Sequence, residues 1–165
     1  MANIRKAGID QIPVIAKLAN QIWPIAYATV ISQEQISYML DLFYSQSALE
    51  KQIADGHHFI IIYDNDIPVG FSSYSQKNNT DHTIYRLHKL YVVITLHKKG
   101  YGKQLVQYII DDIKHKGATH LELNVNRNNP ARFFYSKLGF VITRTEDLDI
   151  GSNYFMNDYI MTLSL

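Results

Sequence analysis

The sequence contains no cysteine, which excludes a disulfide framework, a thiolate nucleophile and any cysteine-ligated zinc. It has no run of about 18 apolar residues, so no segment suits a membrane-crossing helix, and the N-terminus lacks the apolar stretch of a secretory signal. Charge of one sign is also missing. The formal net charge is +1, short of the basic excess that broad nucleic-acid or membrane-surface binding requires. Internal repeats, linkers and low-complexity segments are absent. These absences point to a cytoplasmic protein with neither nucleic acid nor membrane as its partner. What remains is 47% hydrophobic and 19% charged, the balance of one globular domain over residues 1–165 with a single core.

The chain then divides into alternating patterns. Ile4 to Ala7 reads as a first strand. Asp10 suits the N-cap of a helix with Ile12, Ile15, Leu18, Ala19 and Ile22 inward, ending near Trp23-Pro24. Ser32 with Gln35 has the form of a capping box for a second helix, and Ser47 to Ala54 reads as a third helical piece, ending at Asp55-Gly56. His58 to Tyr63 and Ile67 to Tyr74 flank the turn Asp64-Asn65-Asp66, a hairpin. His120 to Val125 predicts a strand and Pro130 to Leu138 a short helix stopped by Gly139. Val141 to Thr145 and Tyr154 to Leu163 form a last antiparallel pair. The order predicts an α/β sandwich around a mixed, mostly antiparallel sheet of about seven strands flanked by helices.

The informative stretch is Tyr85 to Ile113. Leu87, Leu90, Tyr91, Val92, Val93 and Ile94 read as a mostly buried strand. Gly100 and Gly102 follow, among Lys98, Lys99 and Lys103. Leu105, Val106, Ile109, Ile110 and Ile113 then recur at helical spacing. A helix that begins just after glycines offers free backbone N–H groups and the positive end of its dipole, a cradle for phosphate. A dinucleotide fingerprint would need a third glycine where Leu105 stands, and the P-loop positions hold His97 and Gln104. At this point a phosphate cradle and a plain helix start with solvated lysines are both open.

A second segment narrows the choice. His97-Lys98-Lys99-Gly100-Tyr101-Gly102-Lys103 after Leu90-Tyr91-Val92 resembles the acetyl-CoA loop of the GNAT superfamily of N-acetyltransferases, Gln/Arg-x-x-Gly-x-Gly/Ala. Asn128-Asn129-Pro130-Ala131-Arg132-Phe133-Phe134-Tyr135-Ser136-Lys137-Leu138-Gly139-Phe140 is similar to that family's Asn-x-x-Ala-x-x-Phe-Tyr-x-Lys-x-Gly-Phe. Two departures stand out: His97 replaces Gln or Arg, and Ile94 a common Pro. The resemblance implies an acetyl-CoA-dependent acyltransferase, acting by direct attack of an amine in a ternary complex, with the cofactor between splayed fourth and fifth strands. It implies pyrophosphate on the backbone from Lys98 to Lys103, and pantetheine along Leu90, Tyr91 and Val92. It implies cofactor contacts from His97, Asn128, Phe134, Tyr135 and Lys137, and an oxyanion donor in the N–H near Val92, freed by a bulge. Asn128 also suits an Asx cap of the Pro130 helix.

Acetyl transfer from a thioester to an amine needs a proton acceptor for the amine and a proton donor for the departing thiolate. By resemblance the donor is Tyr135, whose phenol, with an ordinary pKa of about 10, suits an alkyl thiolate; a packing role beside Phe133 and Phe134 is the alternative. Histone-type relatives carry a Glu where Arg86 stands, and arylalkylamine-type relatives a His matching His88. His88 is therefore the candidate base, against a half-buried strand histidine. Trp23, Tyr27, Tyr38, Tyr154 and Phe155 are candidates to line the acceptor side, their aromatic character suiting a small-molecule amine. Without HExxH or cysteine, no metal site is indicated. A non-catalytic acyl-CoA binding module is the competing reading. Exposed edge strands are compatible with a homodimer.

Overall fold

The computed structural model describes residues 2–165. Seven strands form one sheet in the order β1-β2-β3-β4-β5-β7-β6. They are β1 Ala2–Ala7, β2 His58–Asp64, β3 Ile67–Gln76, β4 Ile84–Val92, β5 His120–Asn126, β6 Val141–Gly151 and β7 Tyr154–Ser164. The helices are α1 Ile12–Ala26, α2 Gln33–Tyr44, α3 Gln46–Ala54, α4 Tyr101–His115 and α5 Ala131–Lys137. Among the described residues only β4 and β5 pair in parallel.

Strand alternation sorts side chains into two cores, one on each face of the sheet. On one face Ile60, Ile62, Leu87, Leu121 and Leu123 meet Leu105, Val106, Ile109 and Ile113 of α4. On the other, Phe59, Ile61 and Phe71 meet Ile15, Leu18 and Ile22 of α1, Met39 of α2 and Leu49 of α3. Each helix buries the apolar stripe its sequence carries.

Several local expectations are corrected. Asp10 caps nothing; a 3-10 turn, Ile9–Gln11, precedes α1. Helix α1 runs through Pro24 to Ala26, because a proline one turn from the end removes a single hydrogen bond while buried Ile22 and Trp23 anchor that turn. Ser32 does cap α2, accepting from the Gln35 N–H at 3.1 Å. The Gln35 side chain, however, donates to the Phe155 carbonyl at 3.1 Å, so the box is half made. Helix α3 starts at Gln46, one residue before the expected Ser47, and Ser45 caps it. Strand β6 extends to Gly151 and turns at Ser152 and Asn153, both with positive φ. Its charged outer half is an exposed edge strand, and such a strand needs no apolar alternation.

The largest correction concerns β4, which starts at Ile84 and stops at Val92. Val93 and Ile94 continue the apolar run because they pack against the α1–α3 core, beyond the end of the strand. Residues Ile94–Leu96 instead form a 3-10 turn.

Candidate active site

Strands β4 and β5 pair only from Ile84 with His120 to Leu87 with Leu123. Beyond Leu87 they part, and a cleft of about 1100 Å³ passes through the gap. The N–H of Val93 bonds back to Val69 in β3 at 2.9 Å. Alternation then directs the N–H and C=O of Leu90 and Val92 away from β3, toward the gap. That leaves the Leu90 N–H and C=O and the Val92 N–H available for an extended partner.

The expected bulge exists, but upstream of Val92. Ser73 pairs with Lys89 and Tyr74 with Leu87, so His88 is the extra residue. The bulge exchanges the faces: Leu87 points to the α4 core, whereas Tyr91 joins the α1–α3 core. Val92 needs no bulge, because its N–H already lies outside the β3 ladder.

At one end of the cleft, Lys98 and Gly100 both take left-handed backbone conformations, with φ of 72° and 83°. They lead into α4, whose first helical bond is Gln104 N–H to Gly100 C=O at 3.0 Å. No side chain among the described residues caps that helix. The amides of Gly100 to Lys103 therefore precede the helical ladder, the arrangement that binds phosphates. A Cβ on Gly102 would lie 3.3 Å from the Phe134 ring, so glycine lets that ring rest on the loop. Where the resemblance has Gln or Arg, His97 makes a 3.0 Å hydrogen bond with the Val92 carbonyl and ties the loop to the strand end.

The centre of the cleft is aromatic. The Tyr27 and Tyr91 hydroxyls are 2.9 Å apart, and Trp23 packs on both rings, with centroids at 4.5 and 5.6 Å. Tyr135 is 8% exposed, and burial, then the nearby Tyr27, pushes its phenol above the ordinary value. Asp158 of β7, 3% exposed, also lines this centre. Burial raises its carboxyl to about 6, against a hydrogen bond from Asn124 that lowers it.

Of the residues expected from the sequence, Leu90, Tyr91, Val92, His97, Lys98, Gly100, Tyr101, Gly102, Lys103, Phe134 and Tyr135 line this one cleft, with His88, Trp23 and Tyr27. Phe155 lines it too. Lys99, Asn128 and Lys137 are exposed and away from its wall. The cap expected of Asn128 is made by Asn129 instead, which accepts from the Ala131 N–H at 2.9 Å, and Asn126 and Asn129 line the cleft in place of Asn128. Tyr38 and Tyr154 pack with tilted rings beside the cleft, centroids 5.3 Å apart, and Tyr38 donates to the Ile150 carbonyl at 2.7 Å. They clamp the β6–β7 hairpin to α2.

His88 sits in the cleft but is poorly suited to act as a base. Burial first, then the charges of His57, Lys89 and Arg86, lowers it to about 3. Sequence reasoning passed over Asp158 and Lys89. Asp158 sits in a mixed polar strand with no motif around it.

The family follows from comparison. A model described as an acetyltransferase (GNAT) domain matches residues 27–155. The chain belongs to the GNAT acetyltransferases. It is 28% identical over 159 residues to a spermidine N(1)-acetyltransferase of Thermoplasma acidophilum, covering 93% of this chain and 94% of that protein. An uncharacterized N-acetyltransferase of Mycobacterium tuberculosis is 27% identical over 154 residues, 92% of this chain and 96% of that one. A PaiA N-acetyltransferase from Thermoplasma acidophilum, solved with coenzyme A, superposes with a TM-score of 0.83 at 26% identity, over 100% of this chain and 99% of that one. This GNAT protein is an acetyl-CoA-dependent acetyltransferase, and the non-catalytic alternative gives way. The uncapped α4 amides and the unpaired edge of β4 fit coenzyme A.

Proposed function

We propose that the protein transfers an acetyl group from acetyl-CoA directly to a primary amine of a small molecule, both bound in the cleft between β4 and β5. The continuity of that cleft supports this reading. The helix start at Gly100 opens at one end, Tyr135 and Asp158 line the middle, and side chains of α1 to α3 wall the far end.

Each step falls to residues in place. The amides of Gly100 to Lys103 hold the diphosphate, with Lys98 and Lys103 adding charge. Leu90 and Val92 offer backbone to the pantetheine arm, and the Val92 N–H can donate to a carbonyl oxygen as negative charge grows there. Acetyl-CoA, when bound, supplies an acetyl group activated as a thioester. Asp158, at about 6, is largely ionised at neutral pH and accepts the proton of the incoming ammonium. It is a stronger base than His88, which burial holds at about 3. Tyr135 keeps its proton at neutral pH, because burial raises its phenol, and donates it to the departing sulfur. With no cysteine in the sequence, the acetyl group is not parked on a thiolate before transfer.

The test is free-thiol release from acetyl-CoA with a panel of amino acids, amino-acid amides, polyamines and short peptides. Thiol release with small amines, matched by N-acetylated product, is expected. Turnover of peptides alone, or of no amine, overturns the reading.

A further inference from the structure

Past the reaction centre the cleft runs along α2 and α3 to an end walled by Phe43, Tyr44, Gln52, His57, Arg86 and Lys89. The β4 bulge at His88 sets Lys89 on this face: its ammonium lies 5.2 Å from the centre of the Tyr44 ring and 5.9 Å from that of Phe59. Bulges beside active sites commonly re-aim a side chain in this way.

Lys89 makes no ion pair among the described residues. Burial lowers its ammonium to about 8, so it still carries its charge at neutral pH. Nearby Arg86 is held by Glu122 at 2.5 Å, but Glu122 also faces Lys77 at 3.1 Å and Arg144 at 3.6 Å. One carboxylate thus serves three cations, and it does not line the cleft. Asp158 is the only carboxylate that lines it among the described residues. Arg86 Nε, a donor, and His57 Nδ1 are buried without hydrogen-bond partners among the described residues. Unpaired buried polar atoms are costly unless a ligand completes them.

We propose that this end of the cleft binds a carboxylate carried by the acceptor, with Lys89 as its counter-charge and Arg86 Nε as a donor. The acceptor is then an amino carboxylate with an apolar body resting against Phe43 and Tyr44. A polyamine would bring a second ammonium beside Lys89 and Arg86, where like charges repel in a desolvated wall. The likeness to a spermidine acetyltransferase favours a polycation; the charges at this end favour an anion. Lys89 is a specificity residue of the small-amine acetyl transfer proposed above, and the inference rests on that reading.

Two measurements separate the two. Calorimetry on the coenzyme A complex compares N-acetylated amino acids of differing side chain with their amides, and needs no turnover. At least one acid is expected to bind ten-fold or more tighter than its amide. Lys89→Met abolishes the preference and Lys89→Arg restores most of it, with thermal unfolding confirming that both variants fold. No acid preferred over its amide, or a preference surviving in Lys89→Met, overturns the inference. In the thiol assay, the same acids are expected to show lower KM than their amides. Amides or polyamines used as well as the acids overturn the inference but leave acetyl transfer standing. Thiol release with no amine at all, beside intact acid binding, overturns acetyl transfer and upholds the carboxylate site.

Discussion

The imidazoles of His57 and His88 lie face to face, with ring centroids 4.0 Å apart and planes inclined by 4°. Two protonated rings could not share that stack, and His88 is already held to about 3 by burial and then by His57. His57 is lowered as well, chiefly by burial. An unfolded histidine takes up its proton near pH 6.5, well before the folded His88 does. The stability present above pH 6.5 is therefore lost as pH falls toward 3, at about 1.4 kcal/mol per pH unit from His88. His88→Gln should flatten the acid side of the melting-temperature profile between pH 6.5 and 4. An unchanged slope would show that the pair does not control it.

Asp158→Asn tests the proton acceptor. Burial raises Asp158 to about 6, so wild-type kcat/KM should fall on the acid side with an apparent pKa near 6. The variant should lose that limb and be slower by roughly 100-fold, the lower range for a positioned acid or base. A variant that keeps the limb near 6 would assign it to another group.

Tyr135→Phe removes only a hydroxyl. If the phenol protonates the leaving sulfur, kcat should drop by about 10²-fold or more while coenzyme A affinity changes little. Turnover within about twofold of wild type would reduce Tyr135 to packing.

Gly70→Ala should damage the strand that borders the cleft. A Cβ at Gly70 would stand 2.7 Å from the Tyr91 backbone carbonyl, which cannot swing aside as a flexible side chain can. Overpacking of this kind costs about 1–3 kcal/mol, readable as a lower denaturant midpoint. Because Gly70 pairs with Val92, coenzyme A binding should weaken with it.

The fold was legible wherever burial follows periodicity. Ile60 to Ile62, the α4 stripe and the Asn65–Asp66 turn behave as their spacing predicts. Element ends were less readable, because tertiary contacts set them: Val93 and Ile94 are apolar for a helix core, and Pro24 is tolerated by a buried turn. In the site, glycines and lysines before α4 carry a local signature, and so they could be found. The face of Lys89 depends on one extra residue at His88, and a bulge leaves no compositional mark. Asp158 owes its raised carboxyl first to burial, which elements distant in sequence create, so nothing adjacent announced it.

The short run of pairing between β4 and β5 has a mechanical consequence. It joins two leaves, one carrying the N-terminal half of the sheet and the other the C-terminal strands with Asp158. The two leaves are not independent, because one apolar core takes in Ile60 and Leu87 from the first, Leu121 and Leu123 from the second, and Leu105, Ile109 and Ile113 of α4 beneath both. The helix thus braces the gap that the strands leave open, and amide exchange along Ile84 to Leu87 should be as slow as in the neighbouring core strands.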